Sequence, residues 1–283
     1  MSFASDYLAQ LDAFASLGPL PRVRALHLPP PPSTAPDANK GEFCALELDD
    51  GSLGLSYVLL DDTLARLRSA GDDLELAGAD AMTLARRYAS ADSFGKALGF
   101  ATANALTRCL YDRASFIPEA SSDSIGQMNP QTGEQIGMIG LFRPLLGRVL
   151  ASGAKLTVVE LKAELAGAAD GYRVTLDASE LAQCEKVVST STLLLNDTLD
   201  NMLEHCRTAR WFAMVGPSAG CLPDALFARG ITLVGGNWIV DGAGFVDALK
   251  RGESTSPFSV KSALTRDTYP GFTALLARAA RTH

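Results

Sequence analysis

Between residues 135 and 239 the sequence alternates short apolar runs with small-residue loops and helical segments. This rhythm restricts the fold more than any other feature. The runs are QIGMIG, KLTVVE, KVVST, WFAMVG and ITLVG, beginning at Gln135, Lys155, Lys186, Trp211 and Ile231. Short β-branched runs alternating with helices, here PLLGRVLASG from Pro144 and NDTLDNMLEHCRTA from Asn196, predict a parallel sheet covered on both faces. In an open parallel sheet, ligands bind beyond the carboxyl ends of the strands. Gly140, Glu160, Thr190, the turn Gly216-Pro217-Ser218 and the pair Gly235-Gly236 all fall at predicted strand ends. Any one of these loops alone reads as a tight turn. Together, small and hydroxylated on one rim, they point to a ligand crevice.

The first half has a different rhythm. A helix is predicted around Tyr7 to Phe14 and a strand over Arg22 to Leu26. The proline-rich stretch HLPPPPSTAPDANKG reads as a surface loop, and EFCALELDDGSLGLSYVLL as a hairpin turning at Asp50-Gly51. From Asp61 to Arg113 the pattern is helical, with Leu98, Thr102, Ala105, Leu106, Cys109 and Leu110 on one face. A polar stretch, Glu119 to Glu134, then separates the two rhythms. The expected division is an α+β domain over 1–120, a linker over 121–136 and an α/β domain over 137–283. The last of these ends in an extension, from about Ser254, that closes in a helix.

Composition removes several function classes. A net charge of -7 with no Lys/Arg run argues against nucleic acid as a partner. The start carries Asp6 and Asp12 without a basic, apolar leader, and no stretch has the length of a membrane span, so a cytoplasmic protein with no membrane partner is expected. Five scattered cysteines with no CxxC read as reduced thiols.

The chemistry-bearing residues are few. IGMIGLF ends a strand and opens a helix but lacks the full dinucleotide glycine pattern. Glu160 lies twenty residues beyond Gly140, where nucleoside-binding folds place an acid for ribose hydroxyls; an exposed acid at a strand end is the plainer alternative. In STSTLLLNDTLDNML, Ser189, Thr190, Ser191, Thr192, Asn196 and Thr198 supply neutral hydrogen-bonding groups for a pocket wall, although Asn196 or Asp197 also suits a helix N-cap. No GxSxG elbow is present, and His27, His205 and His283 have no evident partners. Cys221, close to a helix start, is the one thiol placed where a pKa could be depressed, but it reads as a structural thiol, and no residue set has the spacing of a metal site.

The motifs IGMIGLFRPL, VVE, STSTLLLNDTLDNML and GPSAGCLPDALFARGITLVGG, in this order, resemble the bacterial and archaeal family known as the putative heavy-metal chelation domain. The stretch ELAGADAMTLARRYASADSFGKALGFATANAL resembles its usual partner domain, and the resemblance covers roughly residues 40 to 252. It implies an enolase-N-terminal-like domain followed by a Rossmann-like parallel-sheet domain, with a site between them. Carried over residue by residue, it implies a ligand-binding role for Asn104, Gly137, Gly140, Phe142, Glu160, Thr190, Asn196, Thr198, Gly216, Pro217 and Ser218. The polar-loop reading adds Thr192, while Leu193 departs from the family's small polar residue. The implied role is a small-molecule enzyme or handler in metallophore-related metabolism. Two alternatives stay open: an enzyme using a nucleoside cofactor of the S-adenosylmethionine kind, and a non-catalytic binder of metal chelates. The expected partner is a small-molecule ligand; the residues leave assembly open, with a homodimer common for proteins of this type.

Overall fold

The computed structural model describes residues 2–31, 42–121, 123 and 127–281. Most of the proline-rich loop, part of the expected linker and His283 lie outside the described residues. The chain opens with α1 (Phe3–Ala15), β1 (Val23–His27), β2 (Phe43–Leu48) and β3 (Leu53–Tyr57), then α2 (Thr63–Ala70), α3 (Ala81–Ala85) and α4 (Ser93–Arg113). The three strands form an antiparallel sheet in the order β1-β2-β3. The hairpin turns where Asp50-Gly51 predicts, with Gly51 at φ +88°.

The expected single apolar face of α4 is not what the structure shows: its side chains from Gly95 to Thr107 are all buried. A helix packed on every side needs small residues where backbones approach, and α4 supplies Gly95, Gly99 and four alanines between Ala97 and Ala105. Its polar residues are satisfied internally. Tyr7 lies 2.6 Å, hydroxyl to hydroxyl, from Thr107, and Thr102 donates to the Leu98 carbonyl at 2.8 Å. The N-cap is Asp92, whose carboxylate accepts from the Gly95 N–H at 3.1 Å.

The second half runs β4 (Gln135–Ile139), α5 (Arg143–Ala151), β5 (Lys155–Val159), β6 (Gly167–Ala169), β7 (Tyr172–Thr175), β8 (Lys186–Thr190), α6 (Leu199–His205), β9 (Trp211–Val215), α7 (Asp224–Ala228), β10 (Leu233–Ile239), α8 (Gly242–Arg251), β11 (Ser259–Thr265) and α9 (Phe272–Ala279). Among the described residues β4 to β11 form one sheet in the order β11-β10-β9-β8-β4-β5-β7-β6. The six strands from β10 to β7 are parallel to their neighbours, and the edge strands β11 and β6 are antiparallel. All five predicted strands are present, and the protein is a mixed α/β fold, as the alternation requires. The expected extension past Ser254 instead contributes β11, an edge strand of this sheet.

One expectation is corrected in β10. Gly235-Gly236 is not a loop at a strand end; the strand continues to Ile239, paired to β11 through Gly236 and Ser262. The glycine is needed for close approach. A Cβ on Gly236 would lie 2.7 Å from the Ala219 carbonyl oxygen, so only glycine lets the turn after β9 fold onto β10.

The two sheets share a core. One cluster of buried side chains includes Leu11, Phe14, Leu46, Phe100 and Leu106 from the first half and Val187, Met214, Leu222 and Leu226 from the second. Near the expected boundary, Ser121 N–H donates to the Lys261 carbonyl at 2.8 Å and Ala120 bridges Ser262 beside β11.

Candidate functional site

The chain leaves β4 toward β5 and β7 on one side, then returns to β8 and continues to β9 and β10 on the other. The carboxyl ends of β4 and β8 thus flank a switch point, where a parallel sheet opens a crevice. A crevice of about 480 Å³ lies there. Ile139 at the end of β4 with Gly140 just beyond it, Val159 at the end of β5 with Glu160 just beyond it, and Thr190 at the end of β8 with Thr192 in the turn that follows line its base. Asn196 and Thr198 supply one wall, and Tyr57, Leu59 and Leu60 close it from the first half. Phe142 and Arg143 stand at the start of α5, and Lys162 follows β5.

Local physics sets each group. Gly140 turns at φ +83°, which side-chain-bearing residues rarely adopt. The Thr190 and Thr192 hydroxyls lie 2.9 Å apart, and the Thr192 N–H donates to Thr190 at 3.2 Å. Asn196 Oδ1 accepts from the Thr198 hydroxyl at 2.6 Å and its N–H at 3.3 Å, a local turn that precedes α6. Thr198, not Asn196, occupies the N-cap position. This loop is held from behind by the first half: Tyr88 donates its hydroxyl to the Leu194 carbonyl at 2.6 Å, and buried Lys96 pairs with Asp197 at φ +58°. Leu193, the departure from the family pattern, is buried.

Glu160 has a task the sequence did not reveal. Its Oε1 accepts from the Leu141 N–H at 2.6 Å and its Oε2 from the Leu161 N–H at 3.2 Å. The carboxylate therefore pins the loop between β4 and α5. Glu160→Ala is expected to speed amide exchange at Leu141 by roughly ten- to a hundredfold, since a hydrogen bond to a charged group contributes about 1.5–3 kcal/mol. Glu160→Gln, which keeps an acceptor, should show a smaller change in the same exchange measurement.

Tyr57 was not among the expected residues. Tyr57 lines the crevice, and burial, with the nearby carboxylates of Glu42 and Glu160, pushes its phenol above its ordinary pKa. It sits in a hairpin strand with no motif around it, and only its place near Glu160, among the crevice-lining residues, makes it part of the site.

The expected rim is divided. Gly140, Phe142, Glu160, Thr190, Thr192, Asn196 and Thr198 meet in the crevice. Gly216 and Pro217 instead line a neighbouring cavity of about 480 Å³, which shares Phe142. Three residues are not on either rim. Gly137 is inside β4, where an added Cβ would lie 2.8 Å from Leu181 Cδ2, so it is a packing glycine. Ser218 is fully buried and its hydroxyl finds no partner among the described residues; the helix expected near it starts only at Asp224. Asn104 does reach across from the first half, but as a clip. It accepts from the Tyr7 hydroxyl at 3.1 Å and donates to the Leu55 and Ser218 carbonyls at 2.8 and 3.0 Å.

The thiols do not fit a soft-metal site. All five cysteines are buried, and Cys221 is not depressed: burial pushes it up to about 12. Among the described residues no three His, Cys, Asp or Glu side chains come together to hold a metal ion. Among the same residues no helix is long and apolar enough to cross a membrane.

Comparison with known proteins agrees with the fold. The DUF364 family, described as "Putative heavy-metal chelation", matches residues 123–266, and the DUF4213 family, with the same description, matches 39–107. Uncharacterized protein MJ0500 of Methanocaldococcus jannaschii is 29% identical over 159 residues, 53% of this chain; the match spans 58% of that relative's length. Two crystal structures of DUF364 proteins of unknown function share the fold at 16% identity and a TM-score of 0.65. The one from Desulfitobacterium hafniense covers 94% of this chain and 100% of its own, and the one from Pyrococcus horikoshii 92% and 99%. With half the chain matched by that family and its whole architecture shared with solved members, the chain belongs to the DUF364 family.

Proposed function

We propose that the protein binds a small metal chelate, as an enzyme or carrier in metallophore-related metabolism, in the crevice between β4 and β8. The observation that carries this reading is a roomy crevice whose lining holds a set of neutral hydrogen-bonding groups, together with only two carboxylates, Glu42 and Glu160, and no cluster of three His, Cys, Asp or Glu side chains among the described residues that could hold a bare metal ion. Thr190, Thr192, Asn196, Thr198 and Tyr57 suit the oxygen and nitrogen atoms of an organic chelator. A metal would arrive already coordinated by that chelator. Glu160 already accepts one backbone N–H on each oxygen, from Leu141 and Leu161, which leaves about two of its four acceptor sites for a nucleoside diol and makes its orientation a property of the loop as well as of any ligand.

The test is a thermal-shift panel of ferric citrate, nickel–histidine, adenosine and S-adenosylmethionine. Any of these at about a hundred times its Kd stabilises the fold by roughly 2.7 kcal/mol. Chelates are expected to raise the Tm, and Thr192→Trp, which fills the crevice, is expected to remove the shift while the unliganded Tm changes little. A shift from the nucleosides alone would replace the chelate with a cofactor. A chelate shift that survives Thr192→Trp would place the ligand elsewhere.

A further inference from the structure

The cavity beside the crevice lies over β9, β10 and β11. Strand register builds its floor. Gly235 is paired with Ala263 of β11 and Val215 of β9, and Asn237 with Lys261. Residues two apart on a strand share a face, so Leu233, Gly235 and Asn237 look into the same space as Ala263 and Lys261. All five line the cavity. Gly235 and Ala263 make the centre of this floor almost bare backbone. Phe142 and Leu145, from the start of α5, form an apolar wall.

The polar groups gather at one end. Asn237 and Lys261 are cross-strand partners by register, with Ser259 on the same face of β11. Lys261 makes no ion pair among the described residues. Among the described residues the one acid on the rim, Asp123, accepts from Arg148 at 2.8 Å, which offsets its charge. A floor almost bare of side chains at its centre, with Phe142 in the wall, suits a planar body. An amide and an unpaired ammonium at its edge suit an anionic tip.

We propose that this cavity is a second ligand site, for a small planar organic anion with its ring over Gly235 and Ala263 and its carboxylate on Asn237 and Lys261. It is separated from the crevice by Phe142 and stands independently of what the crevice binds.

The probes are 4-bromobenzoate, neutral 4-bromobenzamide and cationic 4-bromobenzylamine, titrated in solution by NMR and soaked into crystals to locate bromine by anomalous scattering. Benzoate is expected to bind more tightly than the other two, to shift the amides of Gly235 and Asn237, and to place bromine over Gly235. Lys261→Gln, at an exposed position, should weaken benzoate by about tenfold or more and leave benzamide unchanged. Gly235→Val should abolish all three, because its new side chain fills the floor; an added Cβ there lies 3.2 Å from Val215 Cγ1, the end of a side chain that can give way. Equal affinity for the three probes would overturn the anionic class. Bromine in the crevice only, binding in crystals without solution binding, or no binding at all would overturn the site.

Discussion

Gly54→Ala is expected to abolish cooperative folding. Gly54 lies in β3, against the middle of α4. An added Cβ would overlap the Ala101 carbonyl oxygen and the Ala105 amide nitrogen, and would come within 2.7 Å of the Asn104 carbonyl carbon. These are backbone atoms inside a regular helix, so nothing at the contact can rotate aside. Overpacking a core usually costs about 1–3 kcal/mol when side chains can yield. Here the added Cβ overlaps helix backbone, the strand must leave the helix, and the expected cost is well above that range and comparable with the roughly 5–15 kcal/mol that holds a domain folded. Urea unfolding followed by circular dichroism should show a broad or absent transition, or no soluble protein. Gly51, three residues earlier, is the control. Its φ is +88° and nothing lies within 4 Å of its added Cβ, so Gly51→Ala should cost only about 1–2 kcal/mol of backbone strain and keep a sharp transition. If Gly54→Ala unfolds as sharply as Gly51→Ala, the close packing of β3 on α4 is wrong.

The second large effect is expected at the opposite end of the parallel sheet. Lys186 Nζ donates to Glu134 Oε2 at 2.7 Å and to the Asn129 carbonyl at 2.9 Å, and both side chains are largely buried. Lys186→Met would leave the Glu134 carboxylate with Arg210, an exposed partner that cannot replace a buried ammonium. Removing one member of a buried pair costs about 3–5 kcal/mol, and Arg210 should hold the loss near the lower end. Replacing both, as Lys186→Met with Glu134→Leu, should recover most of it, because no buried charge is then left alone. Burial acts to raise the Glu134 carboxyl, but the bonds from Lys186 and the Gln131 N–H, with the charge of Arg210, hold it below its ordinary value of 4.5. A carboxyl lowered in the folded state stabilises above its unfolded value and loses that contribution as pH falls through the folded one. The wild-type protein should therefore lose stability below about pH 4.5, and Glu134→Gln should flatten that part of the profile. Urea midpoints measured from pH 3 to pH 7 test both points. A single variant as stable as wild type, or a double variant no better than the single, would remove the pair from the account.

The sequence by itself determined the five parallel strands, the hairpin at Asp50-Gly51 and the strand-end positions of Gly140, Glu160 and Thr190. These follow from local rules: strand runs are short and apolar, turns need special residues, and a parallel sheet opens at its carboxyl ends. The polar loop from Thr190 to Thr198 was legible for the same reason, since six hydrogen-bonding side chains exceed what one helix cap requires. Strand order was not legible, because periodicity records which face a strand buries and not which neighbour it pairs with. It divided one expected rim into two cavities, with Gly216 and Pro217 on the far side of Phe142 from Glu160. Contact across the chain also decided the roles of single residues. Asn104 reads as a polar group on a helix facing a site, yet Tyr7, Leu55 and Ser218 take up its amide. Tyr57 reads as an ordinary strand residue, yet the packing of the first half on the second puts its phenol in the crevice. Each depends on residues tens of positions away in the chain, and only the tertiary structure brings them together.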